Sequence, residues 1–225
     1  MNSKAFTNTA DVAQQILQSS QGTAPPISSA LDEETARAEV YGLLAALYYA
    51  PPTPEVLAQL RVAATETPAP GGFLQEPWRE LVGAARGLSD AAIQAEYNTL
   101  FGGVGKPEIY LFGSHYLSGF LNEKPLAALR GELARMGLAR DEAMSETEDH
   151  IAYLCEVMRY LIAAEDVATA NLTTQSKFFG AHIQPWVLLL CDALEAHPKA
   201  RFFAALAVFT RAFAGVEAQG FDMLV

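Results

Sequence analysis

Residues 146–166 read ETEDHIAYLCEVMRYLIAAED, and the spacing of the apolar residues in that stretch decides the fold. Ile151, Leu154, Met158 and Leu161 recur every three or four residues with Ile162 beside them, which lines them along one stripe of an α-helix. In a strand, where successive side chains alternate faces, the same residues would fall on both sides. The spacing therefore predicts a helix from Glu146 to about Asp166. Ser145-x-x-Glu148 matches a capping box at its start, the Ser145 hydroxyl accepting from the Glu148 amide while the Glu148 carboxylate reaches back. Glu146, Glu148 and Asp149 then lie at the positive end of the helix dipole. Asp149 and His150 exceed what capping needs, because His150 sits at the edge of the buried stripe, where an aliphatic residue would pack more simply.

The same periodicity runs outward from this helix in both directions. Glu33 to Tyr49 carries Val40, Leu43, Leu44 and Leu47, and Pro51-Pro52 stops it. Pro54 suits the first turn of a short helix through Leu57 and Leu60. A Pro/Gly loop, Pro68 to Gly72, precedes a helix around Trp78, Leu81 and Val82. Ser89 is placed to cap the next helix, with Ile93, Tyr97, Leu100 and Phe101 on its apolar face and a left-handed end at Gly102-Gly103. Gly102 to Gly113 is an extended loop. A short segment from Ser114 to Leu121 follows it, then a helix from Pro125 to Met136 closed by Gly137. Past the central helix, Phe178, Phe179, His182, Ile183, Trp186, Leu189 and Leu190 share a stripe that Pro185 should kink. Phe202, Leu206, Phe209, Phe213 and Val216 mark a last core helix over Arg201 to Glu217. With no hairpin signal, repeat or composition shift, the expectation is an all-α, single-domain bundle over residues 31–225 behind a disordered extension of residues 1–30.

Composition narrows the function. Of 225 residues, 51% are hydrophobic and 18% charged, enough for a sizeable core. Fifteen Lys and Arg against 26 Asp and Glu give a net charge of -11, which argues against a nucleic-acid partner and suits a basic peptide. The polar N-terminal stretch lacks the apolar core of a secretory signal, and no run approaches the roughly 18 consecutive apolar residues of a membrane span, so a cytoplasmic protein is expected. Cys155 and Cys191 fall in apolar helical patterns and read as buried free thiols.

Little in the chain points to catalysis. Glu146 and His150 are four apart, as helical metal ligands often are, but no second such pair accompanies them, and His115, His182 and His197 are scattered singly. The segment from Gly102 through Gly105 to Lys106-Pro107 has some likeness to a phosphate loop. However, Leu100 stands at the first glycine position, Pro107 replaces the hydroxyl residue, and a helix precedes it. No nucleophile elbow or zinc signature is present. The expectation is a binding protein without turnover, metal or cofactor; the alternative is a nucleotide-binding protein of the GTP type using the Gly102–Lys106 loop.

The motifs, taken in order, resemble a known family. Tyr97-Asn98-Thr99-Leu100-Phe101 matches an aromatic-x-x-Leu-Phe motif. A Gly-rich loop, Ser114-His115-Tyr116, Lys124-Pro125-Leu126 with Arg130, and Glu146-x-x-Asp149-His150 follow it, and Phe179-x-x-His182-x-x-x-Trp186 comes last. From about Glu33 to Phe213 the chain resembles the TorD/DmsD/NarJ family of redox-enzyme maturation chaperones, with Thr147 where the family pattern carries proline. The resemblance implies a TorD-like bundle of about nine to eleven helices, and a cytoplasmic chaperone private to one molybdenum-cofactor oxidoreductase. Such a protein binds the twin-arginine signal peptide or the immature catalytic subunit, assists cofactor insertion, and delays export until that is done. It also implies peptide contact by Asp149 and His150, joined by Glu146, Ser114, Tyr116 and Tyr153. In that role Glu146 and Asp149 suit guanidinium forks, and Tyr97, Tyr116 and Tyr153 suit the apolar stretch. Tyr97, Leu100 and Phe101 stay open between the peptide contact that the resemblance implies and the core position that their periodicity gives. A monomer and a dimer domain-swapped through Gly102–Gly113 or Ala139–Ser145 are both compatible with these connectors.

Overall fold

Proline, glycine and short polar residues set most of the element boundaries. The computed structural model describes residues 4–5, 33–65, 74–102, 106–121, 123–141, 144–164 and 171–223. Among these, ten helices follow one another: α1 Glu33–Tyr49, α2 Pro54–Val62, α3 Gln75–Gly87, α4 Asp90–Leu100, α5 Gly113–Ser118, α6 Lys124–Arg135, α7 Ile151–Ala163, α8 Leu172–His182, α9 Val187–Glu195 and α10 Phe202–Asp222. The all-α expectation holds. Strand is confined to two dipeptides, β1 Lys4–Ala5 and β2 Leu138–Ala139, paired in parallel. Apart from Lys4–Ala5, the extension expected to be disordered lies outside the described residues.

The caps explain where helices start. Thr53 Oγ1 accepts from the Val56 amide ahead of Pro54, and Ser89, the cap that the sequence predicts, accepts at Oγ from the Ala92 amide at 3.2 Å. Gly137 takes the left-handed φ of 72° that closes α6. Gly102 differs from its expectation. α4 ends at Leu100 with Phe101 still right-handed, and what requires glycine at 102 is proximity, because a Cβ there would lie 2.7 Å from the Asn98 carbonyl oxygen. Pro185 does more than kink: the predicted stripe is two helices, α8 and α9, separated by a turn over residues 183–186.

The chain divides into two compact units, each built from two separated segments. The first comprises Met1–Tyr49 and Phe112–Ile183. Here α1 packs along α7, and both are lined with buried residues: Tyr41, Leu44, Leu47 and Tyr48 on α1, and Leu154, Val157, Met158 and Leu161 on α7. α8 lies on α7, and α5 on α6. His182 joins α8 to α6 through Nε2, 2.7 Å from Glu132 Oε2, so it is a satisfied edge histidine.

The second unit comprises Ala50–Leu111 and Gln184–Val225, with α10 packed on α9, α3 and α4. Arg61 ties α2 to its neighbours by donating to the Ala85 and Leu88 carbonyls and pairing with Asp90 at 2.6 Å. α10 has no side-chain cap of its own, and Glu96 of α4 supplies one: its carboxylate accepts from the amides of Arg201, Phe202 and Phe203 at 2.8–3.2 Å. At 21 residues and mean hydropathy 1.2, α10 is the one helix among those described that is long and apolar enough to cross a membrane, a length of pattern the sequence reading did not single out. Its Phe202, Phe203, Leu206, Phe209 and Phe213 are buried within the unit, and its Arg211 pairs with Asp192 and Glu195 of α9. Cys155 and Cys191 are free and buried, and burial pushes the Cys191 thiol up to about 12, which leaves it protonated and inert.

Candidate functional site

The stretch before α7 folds differently from its helical prediction. α7 begins at Ile151, and residues 144–150 form an irregular approach to it. The capping box is not formed: Ser145 Oγ donates to Glu146 Oε1, and Glu148 turns to Arg130 and Arg140. A guanidinium offers a carboxylate more than one backbone amide does, so the acid leaves the cap. His150 caps instead, in extended conformation, its Nδ1 accepting from the Ala152 amide at 3.2 Å.

Asp149 is the hub. It is only 4% exposed, yet both carboxylate oxygens are filled: Oδ2 accepts from the Ser114 amide at 2.9 Å and Oδ1 from Thr147 Oγ1 at 2.7 Å. Its carbonyl accepts from the Gly113 amide at 2.9 Å, and an antiparallel bridge joins Phe112 to His150. These bonds pin the start of α5 to the start of α7. Threonine at 147 contributes here what proline cannot, a hydroxyl donor to the aspartate.

His150 is buried among rings, with Phe112 edge-on at 5.0 Å and Tyr49 at 6.3 Å. Burial lowers its pKa to about 4, against a weaker upward pull from Asp149. The folded value lies below the ordinary 6.5, so the unfolded chain takes the proton first. This contribution to stability is whole above about pH 6.5 and is lost as pH falls toward 4. Between pH 7 and pH 5 the loss should be about 2 kcal/mol, read as a drop in urea midpoint. His150→Asn, whose amide oxygen can take the same cap bond, should flatten that step; an unchanged pH profile in this variant would exclude His150 as its source.

The remaining predicted residues fall into three groups. Ser114 and Tyr153 are buried beside the Asp149 hub, Ser114 Oγ without a hydrogen-bond partner; burial raises the Tyr153 phenol, and Glu148 adds to the shift. Glu146 and Tyr116 are half-buried in the same unit. Tyr97, Leu100 and Phe101 belong to the other unit, where Tyr97 and Phe101 stack edge-on at 4.9 Å and both meet Phe203. The sequence gives no site role to Arg140 or to the apolar lip at the end of α5. Leu117, Phe120 and Leu121 are all exposed there, Phe120 at 71%. Their one signal in the sequence is the cluster of Leu117, Phe120 and Leu121 around Gly119. Of the proposed nucleotide loop, residues 103–105 lie outside the described residues.

Residues 72–192, more than half of the chain, match the family described as nitrate reductase delta subunit. Two relatives are both named Chaperone protein TorD and come from Vibrio cholerae serotype O1. The classical Ogawa protein is 24% identical over 205 residues, covering 84% of this chain and 93% of that one. The El Tor Inaba protein is 25% identical over 193 residues, covering 79% and 88%. The match spans α5, the Asp149 hub and α7, and the chain belongs to the nitrate reductase delta subunit family, the group of NarJ and TorD.

Proposed function

We propose that this protein is a cytoplasmic maturation chaperone for a molybdenum-cofactor oxidoreductase. It binds the twin-arginine leader or the apo catalytic subunit, without turnover, while the cofactor is inserted and before export. The observation that carries this reading is the family match together with relatives named as chaperones along nearly their whole length. The first unit suits the task locally. The Asp149 hub fixes α5, which carries the exposed Leu117, and the exposed Phe120 and Leu121 follow directly on it. In this reading the lip takes the apolar stretch of the leader and Glu146 faces its charged end. Tyr116 adds ring surface, while Asp149, His150, Ser114 and Tyr153 hold the surface in place from beneath. Tyr97, Leu100 and Phe101 act through the core of the second unit.

Calorimetry with a synthetic peptide carrying Arg-Arg ahead of a leucine- and alanine-rich stretch tests the proposal. Covering one phenylalanine ring is worth about 1.5–3 kcal/mol, so Phe120→Asp should weaken binding about tenfold or more. The exposed position leaves the fold intact. Unchanged affinity in Phe120→Asp would remove the lip from the site, and no binding by the wild-type chain would remove the leader as its ligand.

A further inference from the structure

Glu148 is an acid in the middle of the candidate site, and it is already occupied by this chain's own arginines. Its side chain is 11% exposed, while that of Arg130, which lies over it, is 51% exposed. Arg130 donates to Glu148 Oε2 from Nε at 2.9 Å and contacts the same oxygen with its second nitrogen at 2.8 Å. Among the described residues, Glu148 Oε1 meets Arg140 Nε at 3.9 Å, an ion pair too long for a hydrogen bond. Arg140 Nη1 donates to the carbonyls of Met144 and Glu146. One buried carboxylate thus has one oxygen doubly filled by a solvent-exposed arginine and, among the described residues, only a long ion pair on the other. The arginine comes from α6 and the acid from the approach to α7, eighteen residues apart, so neither helix needs the pair to form.

We infer that Arg130 is a resident stand-in for an arginine of the bound segment. It neutralises Glu148 while the site is empty and yields it when a ligand guanidinium arrives. This rests on the proposal that the protein binds an arginine-bearing leader, and it names the acid and the regulation of that site. An unpaired carboxylate at this depth would be costly, so the empty state needs an internal cation. A half-exposed partner held by one carboxylate oxygen is weakly retained, since exposed ion pairs are worth little and their arginines regain rotamer freedom on release. The incoming group must be a guanidinium, because its planar fork can fill both Oε1 and Oε2, whereas a lysine ammonium is a point charge that leaves one oxygen unsatisfied. The exchange conserves charge in the site: one guanidinium leaves the carboxylate and another takes it.

The same Arg-Arg peptide and its Lys-Lys counterpart decide the matter by calorimetry. Arg130→Gln removes the competitor, so the Arg-Arg peptide should bind about three- to tenfold tighter than to wild type, and the Lys-Lys peptide should gain less. Glu148→Gln should bind the Arg-Arg peptide about tenfold more weakly. In the double variant Arg130→Gln/Glu148→Gln the gain must vanish, because there is no carboxylate left to uncover. Arg130→Lys, which keeps the charge but loses the fork, guards against a folding defect in Arg130→Gln and should give a smaller gain. Equal or weaker binding by both Arg130 variants, or a gain that survives in the double variant, overturns the exchange. A wild-type chain that binds neither peptide overturns the underlying leader reading instead.

Discussion

Asp149→Ala should lower the free energy of unfolding by about 2–4 kcal/mol, among the largest effects expected of a single polar substitution in this protein. The aspartate is 4% exposed, and its two oxygens take the Ser114 amide and the Thr147 hydroxyl. Alanine strands the buried Ser114 N–H as well as deleting two charge-assisted bonds, and a buried donor left unpaired costs more than the bond was worth. For a chain of this size the loss corresponds to a fall in Tm of about 5–15 °C. Asp149→Asn separates charge from shape. Its amide oxygen can still accept from Ser114, and its NH2 can donate to Thr147 once that hydroxyl rotates, so the cost should be about 1 kcal/mol. Hydrogen exchange localises the effect: the Ser114 amide should lose protection in Asp149→Ala and keep most of it in Asp149→Asn. A melt within about 2 °C of wild type for Asp149→Ala, with Ser114 still protected, would mean that the hub does not hold α5.

The helices were legible because their signals are local. Apolar spacing, Pro54, Ser89 and Gly137 each act within a turn or two of chain, and the structure uses each of them. The boundaries of the two units were also marked, at Pro51-Pro52, in the loop before Phe112 and at Pro185. That these marks divide two units was not legible, since each unit joins segments far apart in sequence and composition does not change between them. The start of α7 was misread for the same kind of reason. Ser145 and Glu148 satisfy a local capping rule, but Arg130 and Arg140 draw Glu148 away, and no short window contains the arginine from α6. Glu96, which caps α10 from more than a hundred residues away, left no signal at all. Of the candidate residues that pattern and resemblance named, Ser114 and Asp149 are hydrogen-bonded, and His150 and Tyr153 are buried on the same stretch of chain as Asp149. Whether a residue there faces a ligand or supports one from below depends on burial, and sequence spacing carries burial only for the apolar stripe.

Leu100→Ala tests that last distinction where pattern and resemblance part. The resemblance implies that Leu100, with Tyr97 and Phe101, touches peptide; the structure buries Leu100 completely, on a helix whose aromatic neighbours close on Phe203 at 5.6 Å and 5.0 Å. Truncating a fully buried leucine removes its transfer free energy and leaves a cavity that the surrounding rings cannot fill without losing their edge-on contacts. The expected loss is about 2–5 kcal/mol. α4 also carries Glu96, so a loosened helix should weaken the cap on α10 and unfold the second unit more readily than the first. Exchange should therefore rise at the amides of Arg201, Phe202 and Phe203, while that of Ser114 stays near wild type. At a temperature where the variant is still folded, its affinity for the Arg-Arg peptide should lie within about twofold of wild type, because core truncation changes the folded population and not the surface of what remains folded. A variant that melts like wild type but binds about tenfold more weakly would put Leu100 at the peptide surface, and the motif of Tyr97, Leu100 and Phe101 would then be a contact in its own right.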